Sequence, residues 1–218
     1  MRYYPDKCGI FVHMKILILC AGIGGESELW DDLKNKITHV EIDPKIAQVI
    51  KDRKPNRTMV IGDAFQYLLE NSRQFDFIWM SPPCQGNSKM IRSGKNRKPR
   101  FPDLRLYEVK IFLDFNFKGK YVIENVIPYY NPVIKPTAKI GRHLFWANFN
   151  IDESFEAKQP KNFIMTGTVQ GSKELKEWLG INYEGNIYYN GNNDPCQVLR
   201  NCVHPLMGMH VFNCLTSS

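Results

Sequence analysis

Short apolar runs alternate with helical repeats of apolar positions along the first two thirds of the chain. The apolar runs predict buried strands over residues 16–19, 37–41, 58–61, 75–80 and 120–123. Between these runs, apolar residues at helical spacing predict helices over residues 26–34, 44–53, 64–71 and 103–117. In the last of these helices, one apolar side is expected to hold Leu104, Tyr107, Ile111 and Phe115. This alternation of strand and helix indicates an α/β domain with a mainly parallel central sheet.

Prolines mark both the start of one helix and the end of the alternating pattern. Asp43 is suited to be a helix N-cap, and Pro44 to be the first helical residue after it. Beyond Val126, an irregular connection is indicated by Pro128, Pro132 and Pro136. We then expect an aromatic-rich strand over residues 143–149, a short helix over 173–179 and a final helix from about Pro205.

Length and composition fit one globular domain with a small appendage at most. The chain has 218 residues, 43% of them hydrophobic, and no apolar run reaches the ~18 residues that indicate a transmembrane helix. The six cysteines form no Cys-x-x-Cys pair, which argues against a disulfide scaffold and a structural zinc site. We therefore expect a reduced, cytoplasmic setting without membrane or metal. Met14 is a candidate natural start, and the alternative is that residues 1–13 form a genuine N-terminal arm.

The net charge of +7 is concentrated in one segment, residues 89–100. This basic segment contains no acidic residue, and its cationic side chains are Lys89, Arg92, Lys95, Arg97, Lys98 and Arg100. Because the rest of the chain is nearly neutral, the basic segment points to contact with a polyanion at one place. A surface loop that only keeps the protein soluble is the alternative.

Glycines and two acidic residues stand at the ends of the first three predicted strands. Gly22, Gly24 and Gly25 lie in a strand-to-helix turn, where glycine lets the backbone approach a nucleotide-like ligand. Glu41 ends the second strand, where a carboxylate can hold ribose hydroxyls. Asp63 follows the third strand, where a carboxylate can accept from an adenine amino group. Each acid is alternatively a surface residue or a helix cap, but the three features together predict a nucleoside-containing cofactor.

A thiol and a carboxylate stand at the ends of the fourth and fifth predicted strands. Pro82 and Pro83 stiffen the chain just before Cys84. Glu124 ends the neighbouring strand and is therefore expected on the same rim of the sheet. A thiol in this place, beside a basic segment, is suited to nucleophilic attack, and the carboxylate supplies an acid in the same cleft.

These residues together resemble the DNA (cytosine-5) methyltransferase family. Residues 20–25 look like its cofactor loop, residues 83–85 (Pro-Cys-Gln) match its nucleophile motif, and residues 124–126 (Glu-Asn-Val) match its acid motif. Residues 200–205 resemble its C-terminal motif, which packs back against the cofactor site. The motifs occur in the usual order, and the resemblance covers roughly residues 15–215.

The resemblance implies a Rossmann-like, S-adenosylmethionine-dependent methyltransferase fold. It implies that Cys84 attacks carbon 6 of a cytosine flipped out of double-stranded DNA, while Glu124 hydrogen-bonds the ring and carbon 5 takes the methyl group. Gln85 and the basic segment would contact the nucleic acid. The matching positions imply that the cofactor is held by Cys20, Ala21, Gly22, Ile23, Gly24, Gly25, Glu41, Ile42, Asp63, Ala64, Pro83, Asn201 and Val203.

Three departures from the family pattern limit what carries over. Cys20 stands where the family usually has Phe, which removes an apolar contact near the cofactor. The family's Gln-x-Arg-x-Arg element is not clearly present; residues 139–143 are the nearby candidate. We expect Arg142 to contact the cytosine oxygen, and the alternative is a strand-edge or phosphate-binding arginine. The target-recognition region is small. We divide the chain into a catalytic and cofactor-binding domain (14–149), a recognition region (150–194) and a C-terminal segment that packs back on the domain (195–218).

Three interpretations of the function remain open at this point. The first is a DNA cytosine-5 methyltransferase, compact and expected to be monomeric. The second is a tRNA cytosine-5 methyltransferase, because a tRNA-modifying branch shares the Pro-Cys-Gln and Glu-Asn-Val patterns. The third is a non-catalytic nucleic-acid-binding subunit that keeps the cofactor fold. The small recognition region favours this last interpretation, whereas the intact Cys84 and Glu124 argue against it.

Overall fold

A computed structural model describes residues 14–88, 101–156, 160, 169–185, 187 and 196–216 of the chain. Its strands are β1 (Met14–Leu19), β2 (Asn35–Glu41), β3 (Thr58–Ile61), β4 (Phe77–Met80), β5 (Lys120–Val126), β6 (Ala138–Ile140) and β7 (His143–Ala147). Its helices are α1 (Pro44–Arg53), α2 (Ala64–Asn71), α3 (Arg105–Asn116), α4 (Val169–Leu179), α5 (Gln197–Asn201) and α6 (Pro205–Thr216). Among the described residues, no helix is both long and apolar enough to cross a membrane.

One seven-stranded sheet, in the order β3-β2-β1-β4-β5-β7-β6, forms the centre of the molecule. The strands from β1 to β5 pair in parallel, whereas β7 runs antiparallel to both β5 and β6. Parallel neighbours need crossover connections, and α1, α2 and α3 lie in three of them. The C-terminal ends of β1 to β5 therefore share one edge, here called the rim. This Rossmann-like α/β architecture confirms the predicted fold class.

The sheet is buried on both faces. Ile16, Ile18 and Trp79 point to one face and pack in a cluster with α6 residues, while Leu17 and Leu19 point to the other, toward α2 and α3. Successive side chains of a strand alternate between faces, so both sets of the central strands are apolar. Because both faces of the sheet are buried, the central strands have continuous apolar runs in the sequence.

Several predicted boundaries hold, and others move by a few residues. Asp43 is the N-cap of α1, with Pro44 as its first residue, as predicted. The strand predicted over 75–80 begins only at Phe77, and the helix predicted over 173–179 begins at Val169. The final helix begins at Pro205, as predicted. Two short elements, β6 and α5, were not predicted.

The helix predicted over residues 26–34 is wrong, because this segment consists of turns. The buried Arg57 explains the difference. Its Nη2 donates to the carbonyl oxygens of Ser27 and Trp30, at 3.0 and 3.3 Å, and its Nη1 donates to Ser27 Oγ at 3.0 Å. The Ser27 carbonyl also accepts from the Trp30 N–H at 3.1 Å, as in a turn, and neither carbonyl accepts from the N–H four residues on that a helix would supply.

The predicted apolar side of α3 is also wrong, except at Tyr107. Leu106, Tyr107, Val109 and Leu113 are the buried residues of this helix. Ile111 and Phe115 are 52% and 86% exposed, and Leu104 is 42% exposed. Apolar residues occupy both sides of α3, so helical spacing alone does not identify the side that faces the sheet.

The C-terminal segment packs tightly on the turns that follow β1. A Cβ placed on Gly208 of α6 would lie 1.9 Å from the carbonyl oxygen of Glu26. A Cβ on Gly25 would lie 2.1 Å from Cys202 Sγ and 2.4 Å from the Val203 carbonyl oxygen. Glycine is therefore required at both contacts, since any side chain would push the segment away from the rim.

Candidate active site

The turn after β1 is built from residues with left-handed backbone. Gly22 and Gly24 have φ values of +53° and +75°, and the Gly24 N–H closes the turn on the Ala21 carbonyl at 2.8 Å. Cys20 also has a positive φ, +54°, which is unusual for a residue with a side chain. A Cβ on Gly22 would meet no heavy atom within 4 Å, so the space above the turn is open.

Glu41 fixes this turn from the end of β2. Its Oε2 accepts from the Gly22 N–H at 2.8 Å, and its Oε1 accepts from the N–H groups of Ile42 and Asp43 at 2.9 and 3.1 Å. Burial raises the pKa of the Glu41 carboxyl, although these three bonds oppose that shift. The structure thus brings together two of the features that predicted a cofactor, the glycine turn and Glu41.

Asp63 caps α2 on the same rim. Its Oδ1 accepts from the N–H groups of Phe65 and Gln66 at 2.8 and 2.9 Å. The helix-cap interpretation of Asp63 is therefore confirmed. Because both bonds go to Oδ1, the predicted adenine contact rests on Oδ2.

The other predicted cofactor residues differ in exposure. Ala21, Ile23 and Gly25 are buried in the turn after β1. Also buried are Ala64 and Val203, while Ile42, Pro83 and Asn201 are exposed. Among the described residues, no group of three or more His, Cys, Asp or Glu side chains is arranged to hold a metal ion.

Cys84 lies half-buried in the turn after β4. Its carbonyl accepts from the N–H groups of Asn87 and Ser88 at 3.0 and 2.9 Å, which holds the turn closed. Burial raises the pKa of the Cys84 thiol, and the charge of Glu124 raises it further. The Cys84 backbone N–H and the Arg142 guanidinium act in the opposite direction. Without ligand, this site therefore favours the thiol over the thiolate.

Asn125 ties the Cys84 turn to β5. Its Nδ2 donates to the Pro82 carbonyl at 3.0 Å, in a buried position. β5 was predicted to end at Ile123, but it continues to Val126 because Glu124, Asn125 and Val126 pair with β7. The acid motif is therefore part of a strand, and the sheet itself holds the buried Glu124 beside the Cys84 turn.

Arg142 connects this site to the C-terminal segment. It lies in the turn between β6 and β7, and its Nη2 donates to the Arg200 carbonyl at 2.8 Å. Burial lowers the pKa of Arg142, while the nearby Glu124 and Cys84 raise it. Arg142 thus lies close enough to Glu124 and Cys84 to interact with both, and its contact with a cytosine oxygen stays a prediction.

Two residues of the site were not identified from the sequence. The buried Asn87 binds both backbone groups of Asp103: its Nδ2 donates to the carbonyl at 3.0 Å, and its Oδ1 accepts from the N–H at 3.1 Å. Asn87 thus joins the chain before the basic segment to the chain after it. His143 hydrogen-bonds Glu124. An isolated polar residue carries no sequence signal of its partner, so neither contact was predictable.

The nucleic-acid contacts predicted from the sequence are mostly outside the described residues. Gln85 is described and exposed, next to Cys84. The cationic residues of the basic segment all lie outside the described residues, namely Lys89, Arg92, Lys95, Arg97, Lys98 and Arg100. Much of the predicted recognition region, residues 150–194, lies outside them as well.

Comparisons with known proteins give one family match and several structural likenesses. A model of the C-5 cytosine-specific DNA methylase family matches residues 14–127. A conserved hypothetical protein from Streptococcus pyogenes is 16% identical, with a TM-score of 0.43 over 62% of this chain and 84% of that chain. A SAM-dependent methyltransferase from Agrobacterium tumefaciens is 16% identical, with a TM-score of 0.40 over 54% of this chain and 40% of that chain. A DNMT2 mutant from Spodoptera frugiperda is 26% identical, with a TM-score of 0.37 over 52% of this chain and 35% of that chain. No curated protein matches the chain.

We expect Cys84 of the ligand-free protein to be alkylated by iodoacetamide only slowly at neutral pH. Because its pKa is raised, the rate should keep increasing above pH ~8.5, where an exposed cysteine is already half ionised. Glu124→Gln should move the profile to lower pH, because it removes a carboxylate charge that disfavours the thiolate. Peptide mapping by mass spectrometry measures both rates, with a free cysteine peptide as the control. A Cys84 profile that coincides with that of the peptide would contradict this electrostatic account.

Proposed function

This chain belongs to the C-5 cytosine-specific DNA methylase family, and on that premise we propose that it methylates cytosine in double-stranded DNA through a covalent bond to Cys84. Its cofactor is S-adenosylmethionine, which supplies the methyl group as an electrophile. The observation that carries the proposal is the Asn125–Pro82 hydrogen bond, which holds the Cys84 turn against the strand of Glu124.

The rim after β1, β2 and β3 fits this cofactor. The open space above Gly22 admits a ligand close to the backbone, and the carboxylates of Glu41 and Asp63 supply acceptors for ribose hydroxyls and an adenine amino group. We propose that the matching positions of the turn, from Cys20 to Gly25, contact the cofactor. Val203 packs against this turn and supports the assignment of the C-terminal motif to the same site.

The residue types of the site suit attack on a cytosine ring. Carbon 5 of cytosine is a poor nucleophile, but attack of the Cys84 thiolate on carbon 6 pushes electrons into the ring and activates carbon 5. In its protonated form, Glu124 donates to N3, where it stabilises the negative charge that develops in the ring, and it accepts from the exocyclic amine. Carbon 5 would then take the methyl group, whose bond to the cofactor sulfonium breaks. A base from solvent would remove the carbon 5 proton, so that the 5,6 double bond re-forms and Cys84 leaves as a thiolate. Arg142 supplies the positive charge that favours the thiolate.

Double-stranded DNA is the substrate that the family assignment favours. The target base must leave the stack to reach Cys84, so we propose that the enzyme flips it out of the duplex. The basic segment directly follows the nucleophile turn, where cationic side chains can contact phosphates without reading sequence. Transfer to tRNA is the alternative outcome, since it needs the same two catalytic side chains.

Asp63→Asn should weaken cofactor binding while it preserves the helix cap. Asn is as good an N-cap as Asp, but its amide replaces the carboxylate oxygen on which the adenine contact rests. We expect calorimetry to show an affinity loss of about 1–3 kcal/mol, the cost of an unsatisfied buried partner. Asp43→Asn is the matched control, because Asp43 caps α1 in the same way. If Asp63→Asn and Asp43→Asn bind the cofactor with equal affinity, Asp63 does not contact the cofactor.

Transfer of labelled methyl groups to duplex DNA and to tRNA tests the substrate and the nucleophile together. The wild-type protein should label the duplex and leave tRNA unlabelled. Cys84→Ser should lower transfer by about 10³-fold or more, the scale on which loss of a catalytic nucleophile acts. Cys214→Ser, on α6, should transfer at the wild-type rate.

Two results of this assay would contradict the proposal. Labelling of tRNA alone would identify the protein as a tRNA cytosine-5 methyltransferase. Near-normal transfer by Cys84→Ser would end the covalent mechanism.

A further inference from the structure

The acid of the proposed reaction is hydrogen-bonded by an imidazole that no motif predicted. His143 Nδ1 lies 2.6 Å from Glu124 Oε1, and the two side chains are 13% and 7% exposed. In the register of β5 and β7, His143 is opposite Val126, two pairs away from Glu124 and therefore on the same face of the sheet. The sheet register therefore holds this contact in place.

Several other titratable and charged groups face Glu124. Cys84 lies on the turn after β4, Arg142 on the turn between β6 and β7, and the buried Glu26 in the turns after β1. Arg200 lies near Arg142, and its charge lowers the pKa of Arg142. Glu124 is therefore surrounded by a cation, a second carboxyl group and a thiol, and each of them can pair with it in a different orientation.

We propose that His143 is a positioning residue, which donates from Nδ1 to Glu124 Oε1 and so holds the carboxyl group in the orientation that binds the cytosine ring. The inference rests on the proposed function, since it gives Glu124 the role of binding the flipped base. A glutamate side chain has three rotatable bonds, and a donor on one oxygen fixes the plane of the carboxyl group. Base binding then needs no further ordering of Glu124, which is the advantage of a preorganised site.

The backbone supports this role because it holds both partners independently of the base. Ile127 N–H donates to the Arg142 carbonyl at 3.1 Å, next to His143, so the end of β5 and the start of β7 are bonded to each other. Asn125, directly after Glu124 in sequence, is fixed by the bond that its Nδ2 donates to the Pro82 carbonyl. The Glu124 side chain is therefore the adjustable part, and His143 is the contact that selects its orientation.

Two substitutions of His143 separate positioning from packing. His143→Leu removes the donor, and His143→Asn retains one, since its Nδ2 occupies nearly the place of the imidazole Nδ1. We expect His143→Leu to lower kcat by roughly 10- to 100-fold, the scale of a misplaced catalytic group, with KM for DNA and for the cofactor unchanged. His143→Asn should recover most of the lost kcat.

Each alternative result would overturn the proposal. An unchanged kcat in His143→Leu would show that the imidazole only packs. A loss of kcat that is equal in the Leu and Asn variants would show that the hydrogen bond is not what matters. The thermal unfolding of both variants is measured beside the kinetics. If His143→Leu fails to fold, the decisive value is the ratio of the kcat of His143→Asn to that of the wild-type protein.

Nitrogen NMR of the imidazole tests the bond without any methyl transfer. The chain has five histidines, and the signal missing from His143→Asn identifies His143. We expect Nδ1 to carry a proton in the wild-type protein. In Glu124→Gln, where the carboxylate acceptor is replaced by an amide, the Nδ1 chemical shift should change. An unprotonated Nδ1 would overturn the proposal even if the enzyme proves active. Conversely, a protein without methyl transfer but with a protonated Nδ1 would contradict the proposed function and not this contact.

Discussion

The hydrogen bond from Asn125 Nδ2 to the Pro82 carbonyl is the contact on which the candidate site depends. Adjacent parallel strands bring two loops to one rim, but they do not by themselves fix how a loop side chain stands relative to a strand side chain. The Asn125–Pro82 bond fixes the position of the Cys84 turn relative to the strand that carries Glu124. It is buried, so its loss would leave a carbonyl unsatisfied at a cost of about 1–3 kcal/mol.

The rest of the rim is closed by the end of the chain. Cys202 and Val203 pack on Gly25, α6 packs on the Glu26 backbone through Gly208, and Arg142 donates to the Arg200 carbonyl. The C-terminal segment therefore contacts the glycine turn on one side and the β6–β7 turn on the other. The shape of the rim therefore depends on these contacts with the C-terminal segment.

The sequence predicted those features that have local causes. Apolar runs located all five parallel strands, and Asp43 and Pro44 located the start of α1 because capping acts within a few residues. The features that were missed depend on distant partners. Arg57 converts residues 26–34 into turns, and the pairing with β7 extends β5 and brings His143 to Glu124. No local pattern encodes the partner of a buried arginine or the register of an antiparallel edge.

The central claim is that Cys84 becomes covalently bonded to a cytosine in double-stranded DNA. It is tested most directly with a duplex in which the target cytosine carries fluorine at carbon 5, in the presence of S-adenosylmethionine. Fluorine cannot leave as a proton does, so the step that expels Cys84 is blocked. We predict a complex that survives denaturation, with the mass of the protein, the DNA strand and one methyl group, and with the bond mapped to Cys84. A duplex that binds and is recovered unmodified, or an adduct at another residue, would contradict the account.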